Sequence, residues 1–439
     1  MIFKNIILKE IIFPFADILM HTSISKSLNQ INYLSKLNKD KILLWQNKKL
    51  KELINHAYVN TEYYKDLFDS LNIKPSDIQS INDLNKLPIL TKDLIRKNYI
   101  KLIPKNIKSI SFKENATGGS SGDPLVYLLD NRSWSFTTAN NIYNWEKTGY
   151  SLGDKYVALG STSLYISDKP SIKHYIYYKI KNKVGLNGIN MSDEVCEKYV
   201  TIIKNKKILY LYGYASSIYM LAKYVNKNSI RLNINACMPT SEILTDEFRG
   251  AINKAFNCTI LNCYGVNDGG VTGFEHDKGF FEVGYNVVIS QKNINKNSIG
   301  EILSTDLLNY SMPFINYLIG DEIQVLNDKN EAFNYNGQVI NQVLGRSSDV
   351  IEFDNGTVIT GPGFTILFKD LPIEYYQIEK SSGLSIICKI KKLPGYNKSH
   401  EKIITSTLDK QLGKEVSFEL VYTDKFETSD NGKIKYFKS

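Results

Sequence analysis

Arginine is scarce in this chain. Only Arg96, Arg132, Arg231, Arg249 and Arg346 occur among its 54 basic residues, the remainder being lysine. Surfaces that read nucleic acid draw on the bidentate fork of the guanidinium, so a net charge of +9 carried by lysine argues against a nucleic-acid partner. The same scarcity makes any arginine at a motif position conspicuous. Cysteine is scarce too. Cys196, Cys237, Cys258, Cys263 and Cys388 are odd in number and form no CxxC pair, which argues against a disulfide framework or a zinc ribbon. Buried thiols in a reducing cytoplasm are the expectation. No long uninterrupted apolar run is present. Residues 1–20 are apolar but broken by Lys4, Lys9, Glu10, Pro14 and Asp17, so they read as neither a signal-peptide core nor a membrane span. They predict an amphipathic helix that packs on its own domain, with peripheral membrane contact as the alternative. Internal repeats and low-complexity segments are also missing.

What is present is the composition of a soluble globular protein, 43% hydrophobic and 23% charged, in a chain of 439 residues. That length exceeds one ordinary core and predicts at least two domains. Residues 25–70 read as helices, with Leu43, Leu50, Leu53, Ile54 and Ala57 at helical spacing. Leu87–Lys92 reads as a connection that opens a helix at Thr91. From about residue 110, β-rich runs at Tyr156–Leu159, Ile208–Tyr212, Thr259–Cys263 and Glu301–Ser304 alternate with helical stretches such as Ser216–Val225 and Thr245–Ala255. Near 345 the texture changes to strand-like runs at Val350–Phe353, Glu374–Ile378, Ser385–Ile390 and Val416–Val421, with a helix-like segment at His400–Leu412. The expected organisation is a larger domain over residues 1–344, with a helical lead-in over 1–105, and a small α/β domain over 345–439.

Several segments carry chemistry-bearing residues. Thr117, Gly118, Gly119, Ser120, Ser121 and Gly122 pack glycines and hydroxyls into one short stretch that suits an anionic phosphate, or an ordinary flexible turn. It is no Walker A loop, because no Lys-Ser/Thr follows at the required position. In Asn262–Gly270 a β-run leads into Tyr264-Gly265 and then Asp268, a candidate Mg²⁺ ligand or a turn residue beside two glycines. Gly300–Leu307 precedes Pro313–Asp321, where Asp321 could accept hydrogen bonds from a ribose diol or sit in a Gly-Asp hairpin turn. Gly345–Val350 carries Arg346, and Asn431–Lys435 carries Lys433 in a Lys-rich tail.

Taken in order, these segments resemble the core motifs of the adenylate-forming enzymes, in particular the phenylacetate–coenzyme A ligase-like branch, which includes proteins of capsule and O-antigen gene clusters. The resemblance covers essentially the whole chain. His56-Ala57 before Tyr63-Tyr64, Leu87–Lys92, Tyr212–Ser216 and Thr240-Ser241-Glu242 look like the same group. It implies an α/β (α+β) fold, with a large multi-sheet N-terminal domain and a small mobile C-terminal α/β domain. It implies an AMP-forming carboxylate ligase that uses ATP, Mg²⁺ and coenzyme A. Thr117 to Gly122 would hold the ATP β- and γ-phosphates. Ser241 and Glu242 would lie beside the adenine, and Tyr264 and Gly265 would line the adenine and acyl-phosphate region. Asp268 would meet Mg²⁺, Asp321 the ribose hydroxyls, and Arg346 ribose or phosphate. Lys433 would contact the carboxylate and α-phosphate during adenylation, and Ser348 would mark the hinge. The chain departs from the family pattern at Asp268, where Glu is usual, at Asn267 for Ser or Thr, at Asn316 for an Arg before Tyr317, and at Ser348 for the hinge Asp. The expected partners are a small carboxylic acid and coenzyme A or a carrier protein; a homodimer is common in the branch. Alternatives are transfer of the acyl group to a sugar amine, transfer of AMP to a hydroxyl, and a non-catalytic nucleotide-binding protein. Tyr214, Trp145 and His174 are aromatic or imidazole residues that could line an acyl pocket, though aromatics in so Tyr-rich a chain are more often core.

Overall fold

The computed structural model describes residues 8–116, 125–160, 180–188, 191, 193–277, 279–295, 298–325, 336–346, 350–353, 358–360, 371–412, 416–427 and 437–438. The helical lead-in comprises, among others, helices Phe13–Met20, Ile24–Leu34, Lys39–Asn60, Glu62–Ser70 and Lys92–Lys97. Their starts follow from side-chain caps. Asn38, Thr61 and Thr91 each accept a backbone N–H from the first turn, satisfying a donor the helix itself cannot. Leu50, Leu53, Ile54 and Ala57 face inward, as their spacing predicts, and join one core with strands from far along the chain, whereas Leu43, read with them, is exposed.

Strands β1 (Phe112–Ala116) and β2 (Val126–Asp130) pair antiparallel as a separate hairpin. A large mixed sheet follows, built from β3 (Tyr156–Gly160), β4 (Lys183–Asn187), β5 (Tyr210–Tyr214), β6 (Ala236–Thr240), β7 (Thr259–Ile260), β8 (Asn262–Val266), β9 (Val271–Asp277), β10 (Phe280–Val283), β11 (Val287–Lys292), β12 (Ile299–Asp306), β13 (Tyr317–Val325) and β14 (Val339–Arg346). Its spatial order is β11-β12-β13-β14-β10-β9-β8-β6-β5-β3-β4, with β7 beside β6. Pairing is parallel from β4 to β8 and antiparallel from β8 onward. The parallel strand β3 is buried along its whole length, as expected where helices cover the sheet. Helices Asp193–Lys206, Ala215–Lys227 and Asp246–Phe256 provide that cover through one apolar cluster.

The β-run Thr259–Cys263 proves to be two strands. It breaks at Leu261, so that β7 lies on β6 while β8 moves on to β9, touching β6 only at Thr240 and Cys263. Beyond β14 come the pair β15 (Val350–Glu352) and β16 (Val358–Thr360), and a sheet ordered β19-β18-β17-β20 from β17 (Ile373–Lys380), β18 (Ser385–Lys392), β19 (Ser417–Tyr422) and β20 (Phe437–Lys438). Alternation along β18 turns Ile386, Cys388 and Ile390 inward, where they meet Ile404 and Leu408 of helix Lys398–Leu412. This small α/β unit therefore has a core of its own. No helix among the described residues is long and apolar enough to cross a membrane.

Candidate active site

The parallel strands β3, β5, β6 and β8 end side by side, the position at which open α/β sheets present loops to ligands. Glycine permits this closeness at β5. A Cβ on Gly213 would collide with the backbone carbonyl of Leu159 on β3. Just beyond Gly213, helix Ala215–Lys227 begins without a cap of its own. The cap comes from the end of β6: Ser216 N–H donates to Glu242 Oε2 at 2.7 Å. A carboxylate at a helix N-terminus is favoured both by the hydrogen bond and by the helix dipole. Ser241, exposed and in the left-handed region (φ 66°), turns the chain so that Glu242 can reach. Register neighbours Thr240 and Cys263 set this loop beside Tyr264.

After β8, the turn 267–270 is tightly boxed. Gly270 has φ 68°, and a Cβ there would strike the Asp306 carboxylate, while one on Gly269 would press Ile319 and Ser304 at 2.7 Å. Asp268 is a turn residue, and it is also more than that. Its carboxylate is buried, and Tyr317 Oη donates to Oδ2 at 2.7 Å. Burial, followed by the negative charge of Asp268, pushes the Tyr317 phenol far up, so it stays a donor. Asp306, beneath Gly270, accepts from Ser133 Oγ at 2.5 Å and from Leu308 N–H at 3.1 Å. Burial raises its pKa to about 6.

Tyr264 Oη donates to Asp321 Oδ2 at 2.7 Å. Asp321 lies within the extended strand β13, after Gly320 at φ 94°, and its register partner on β14 is Arg346. It is not in a hairpin turn. The structure thus joins the Tyr264 and Asp321 side chains across the sheet and sets the backbone of Arg346 opposite Asp321. Asn316, which replaces an expected arginine, is buried in the left-handed region (φ 55°). Its amide donates to the Leu87 carbonyl at 3.0 Å, and its own carbonyl accepts from Leu90 N–H. The residue clamps Leu87–Leu90 against the start of β13.

Trp145 is core, packed edge-on against Tyr150 and Tyr156, whereas Tyr214 is half-buried at the rim where β5 ends. Thr117, Gly118, Gly119, Ser120, Ser121 and Gly122, which in sequence separate β1 from β2, lie outside the described residues, as do His174, Ser348 and Lys433. A separate polar cavity of about 490 Å³ is lined by His21, His56, Asp130, Arg132 and Tyr310 among others. Of the segments that resemble the family only His56 lines it, and none of the residues expected to hold nucleotide or metal does. Sequence reasoning gave no role to Tyr317 or Asp306, although both fall in motif segments. A tyrosine or aspartate there has no signature until its partner is known.

No group of three or more His, Cys, Asp or Glu that could hold a metal occurs among the described residues. That donor set does not make an all-protein cage. It does fit Mg²⁺ held by one carboxylate, Asp268, together with nucleotide phosphates, the usual mode for this cation.

No protein-family model matches the chain. Protein CapK of Staphylococcus aureus is 25% identical over 397 residues, 89% of this chain and 88% of that protein. A phenylacetate–coenzyme A ligase of Aromatoleum evansii is 22% identical over 345 residues, 72% and 73% of the two chains. The chain is a relative of CapK and the phenylacetate–coenzyme A ligases. Its fold agrees: 2-hydroxyisobutyryl-CoA ligase, solved in the postadenylation state in complex with R3-HIB-AMP, superposes with a TM-score of 0.63 at 14% identity, over 91% of this chain and 90% of that one. The likeness spans both the large mixed sheet and the small C-terminal unit.

Proposed function

We propose that the protein activates a carboxylic acid with ATP, releasing pyrophosphate, and passes the acyl group from the acyl-AMP to the thiol of coenzyme A. The observation that carries this reading is the hydrogen bond from Tyr264 on β8 to Asp321 on β13, whose register partner on β14 is Arg346. An aromatic ring hydrogen-bonded to a carboxylate suits an adenosine, with a base against the ring and ribose hydroxyls on the carboxylate, and Arg346 would meet ribose or phosphate. Similarity to CapK supports a role in surface-polysaccharide biosynthesis, and a cytoplasmic location is part of the same proposal.

A carboxylate oxygen attacks the α-phosphorus of ATP, and the bond from that phosphorus to the bridging oxygen breaks, releasing pyrophosphate. Negative charge crowds into one place, so the site must supply donors already in position. Thr117–Gly122 would hold the β- and γ-phosphates, and Lys433 would meet the carboxylate and α-phosphate. Asp268 would hold Mg²⁺, which neutralises phosphate charge when bound. Tyr317 keeps that carboxylate in place. The chain running past Glu242 would border the adenine, with the Glu242 side chain committed to the helix it caps. Rotation of the domain beyond Ser348 would then withdraw Lys433 and admit the thiol. The thiolate attacks the acyl carbon and AMP leaves.

The test is a reaction containing ATP, Mg²⁺, coenzyme A and a panel of aryl, hydroxy and amino acids, read by mass spectrometry. AMP, pyrophosphate and an acyl-CoA from one acid class are expected. AMP formation without loss of free coenzyme A would contradict that acceptor and favour a carrier thiol or an amine.

A further inference from the structure

Helix Phe13–Met20 is apolar on both sides. Phe13 and Ala16 are buried against Ile24, Leu28, Ile31 and Phe136. On the opposite side Phe15 (67% exposed), Ile18 (74%) and Leu19 stand in water, and Ile11 (63%), in the preceding π-turn, continues the row. The spacing 11, 15, 18 and 19 forms one stripe along a helix. An amphipathic helix packed on its own domain would carry polar residues there. The helical polar residue with charge, Asp17, is instead turned inward, accepting from Thr22 Oγ1 at 2.6 Å and Ser25 N–H at 2.7 Å. Tyr33, Leu43 and Leu44 are further exposed apolar side chains on the two helices that follow.

The charges on these helices select the occupant. Lys26, Lys39, Lys41 and Lys48 are exposed on the two helices that follow, and Lys36 in the turn between them, against exposed acids Glu10 and Asp40. A second copy would bring the same lysines and the same net charge of +9, and would be repelled. A bilayer rich in anionic phospholipid attracts both parts: headgroups meet the lysines, and Ile11, Phe15, Ile18 and Leu19 enter the boundary with the acyl chains. We propose that helix Phe13–Met20 docks the protein, lying flat, on an anionic phospholipid bilayer. This holds whichever acid the enzyme activates.

Flotation of the full-length protein with phosphatidylglycerol–phosphatidylcholine vesicles, and with phosphatidylcholine alone, tests the proposal. Wild type should float with the anionic vesicles, weakly with the neutral ones, and less in 1 M salt, where screening shortens to about 3 Å. The Phe15→Ser/Ile18→Ser double variant should lose roughly ten-fold or more of its binding, because two apolar side chains no longer leave water. Lys36→Glu/Lys41→Glu, with the stripe intact, should lose binding to anionic vesicles and provides a second route should the serine variant misfold. Absence of wild-type flotation, or undiminished flotation of both variants, overturns the proposal. So does a lipid-free dimer that the serine variant dissociates, since the stripe would then belong to a second copy.

Discussion

Tyr317→Phe removes one oxygen and nothing else. The ring is fully buried against Phe314, with centroids 4.9 Å apart, so phenylalanine fills the same space and no cavity opens. What disappears is the 2.7 Å donor to a buried Asp268. A hydrogen bond to a carboxylate contributes about 1.5–3 kcal/mol, and water reaches Asp268 too poorly to replace it. The variant should therefore unfold with a stability lower by about that amount. A double-mutant cycle with Asp268→Ala isolates the bond: in that background Tyr317→Phe should be nearly neutral, giving a coupling of about 1.5–3 kcal/mol. Thermal unfolding of the wild type and the three variants supplies the numbers. The same substitution should raise the Mg²⁺ concentration needed for half-maximal adenylation by roughly ten-fold, since about 1.4 kcal/mol of lost positioning corresponds to that factor. Equal destabilisation in both backgrounds, with an unchanged Mg²⁺ dependence, would refute the view that Tyr317 positions Asp268.

Gly213→Ala should lower stability by about 3 kcal/mol or more, because its Cβ meets the backbone of Leu159 and not a flexible side chain. Gly250→Ala, in helix Asp246–Phe256 with open space at the Cβ, should instead raise stability by roughly 0.5–1 kcal/mol; unfolding temperatures check both. Asp306, with a folded pKa of about 6 against about 3.9 unfolded, favours the folded state in its protonated form. Its contribution is present below about pH 4 and is lost as pH rises through 6, by roughly 3 kcal/mol in all. Asp306→Asn should remove that part of the pH dependence, and parallel wild-type and variant profiles between pH 4 and 6 would contradict it.

Local signals were legible in the sequence. Thr91 and Thr245 were readable as helix starts because a hydroxyl ahead of acidic and apolar residues is itself the cap. The strand–helix alternation and the change of texture near 345 announced a large sheet and a small unit. The break at Leu261 was hidden, because no Pro or Gly interrupts Thr259–Cys263 and the step from β6 to β9 is decided by pairing, not propensity. Long-range pairings were hidden in the same way. Tyr264 and Asp321 are 57 positions apart, and Glu242 caps a helix that begins before it in the chain. Asn316 read as a lost positive charge; its buried role in clamping Leu87 depends on a left-handed backbone that no local residue type required.

Acid-dependent ATP–pyrophosphate exchange tests the central claim most directly. Wild type, Lys433→Ala and Asp321→Ala would be run with Mg²⁺ across a broad acid panel. Exchange with one class of acid is predicted, falling about 10²–10³-fold in Lys433→Ala through loss of a preorganised donor, and sharply in Asp321→Ala at subsaturating ATP. ATP binding without exchange for any acid, or full exchange in both variants, would contradict the account.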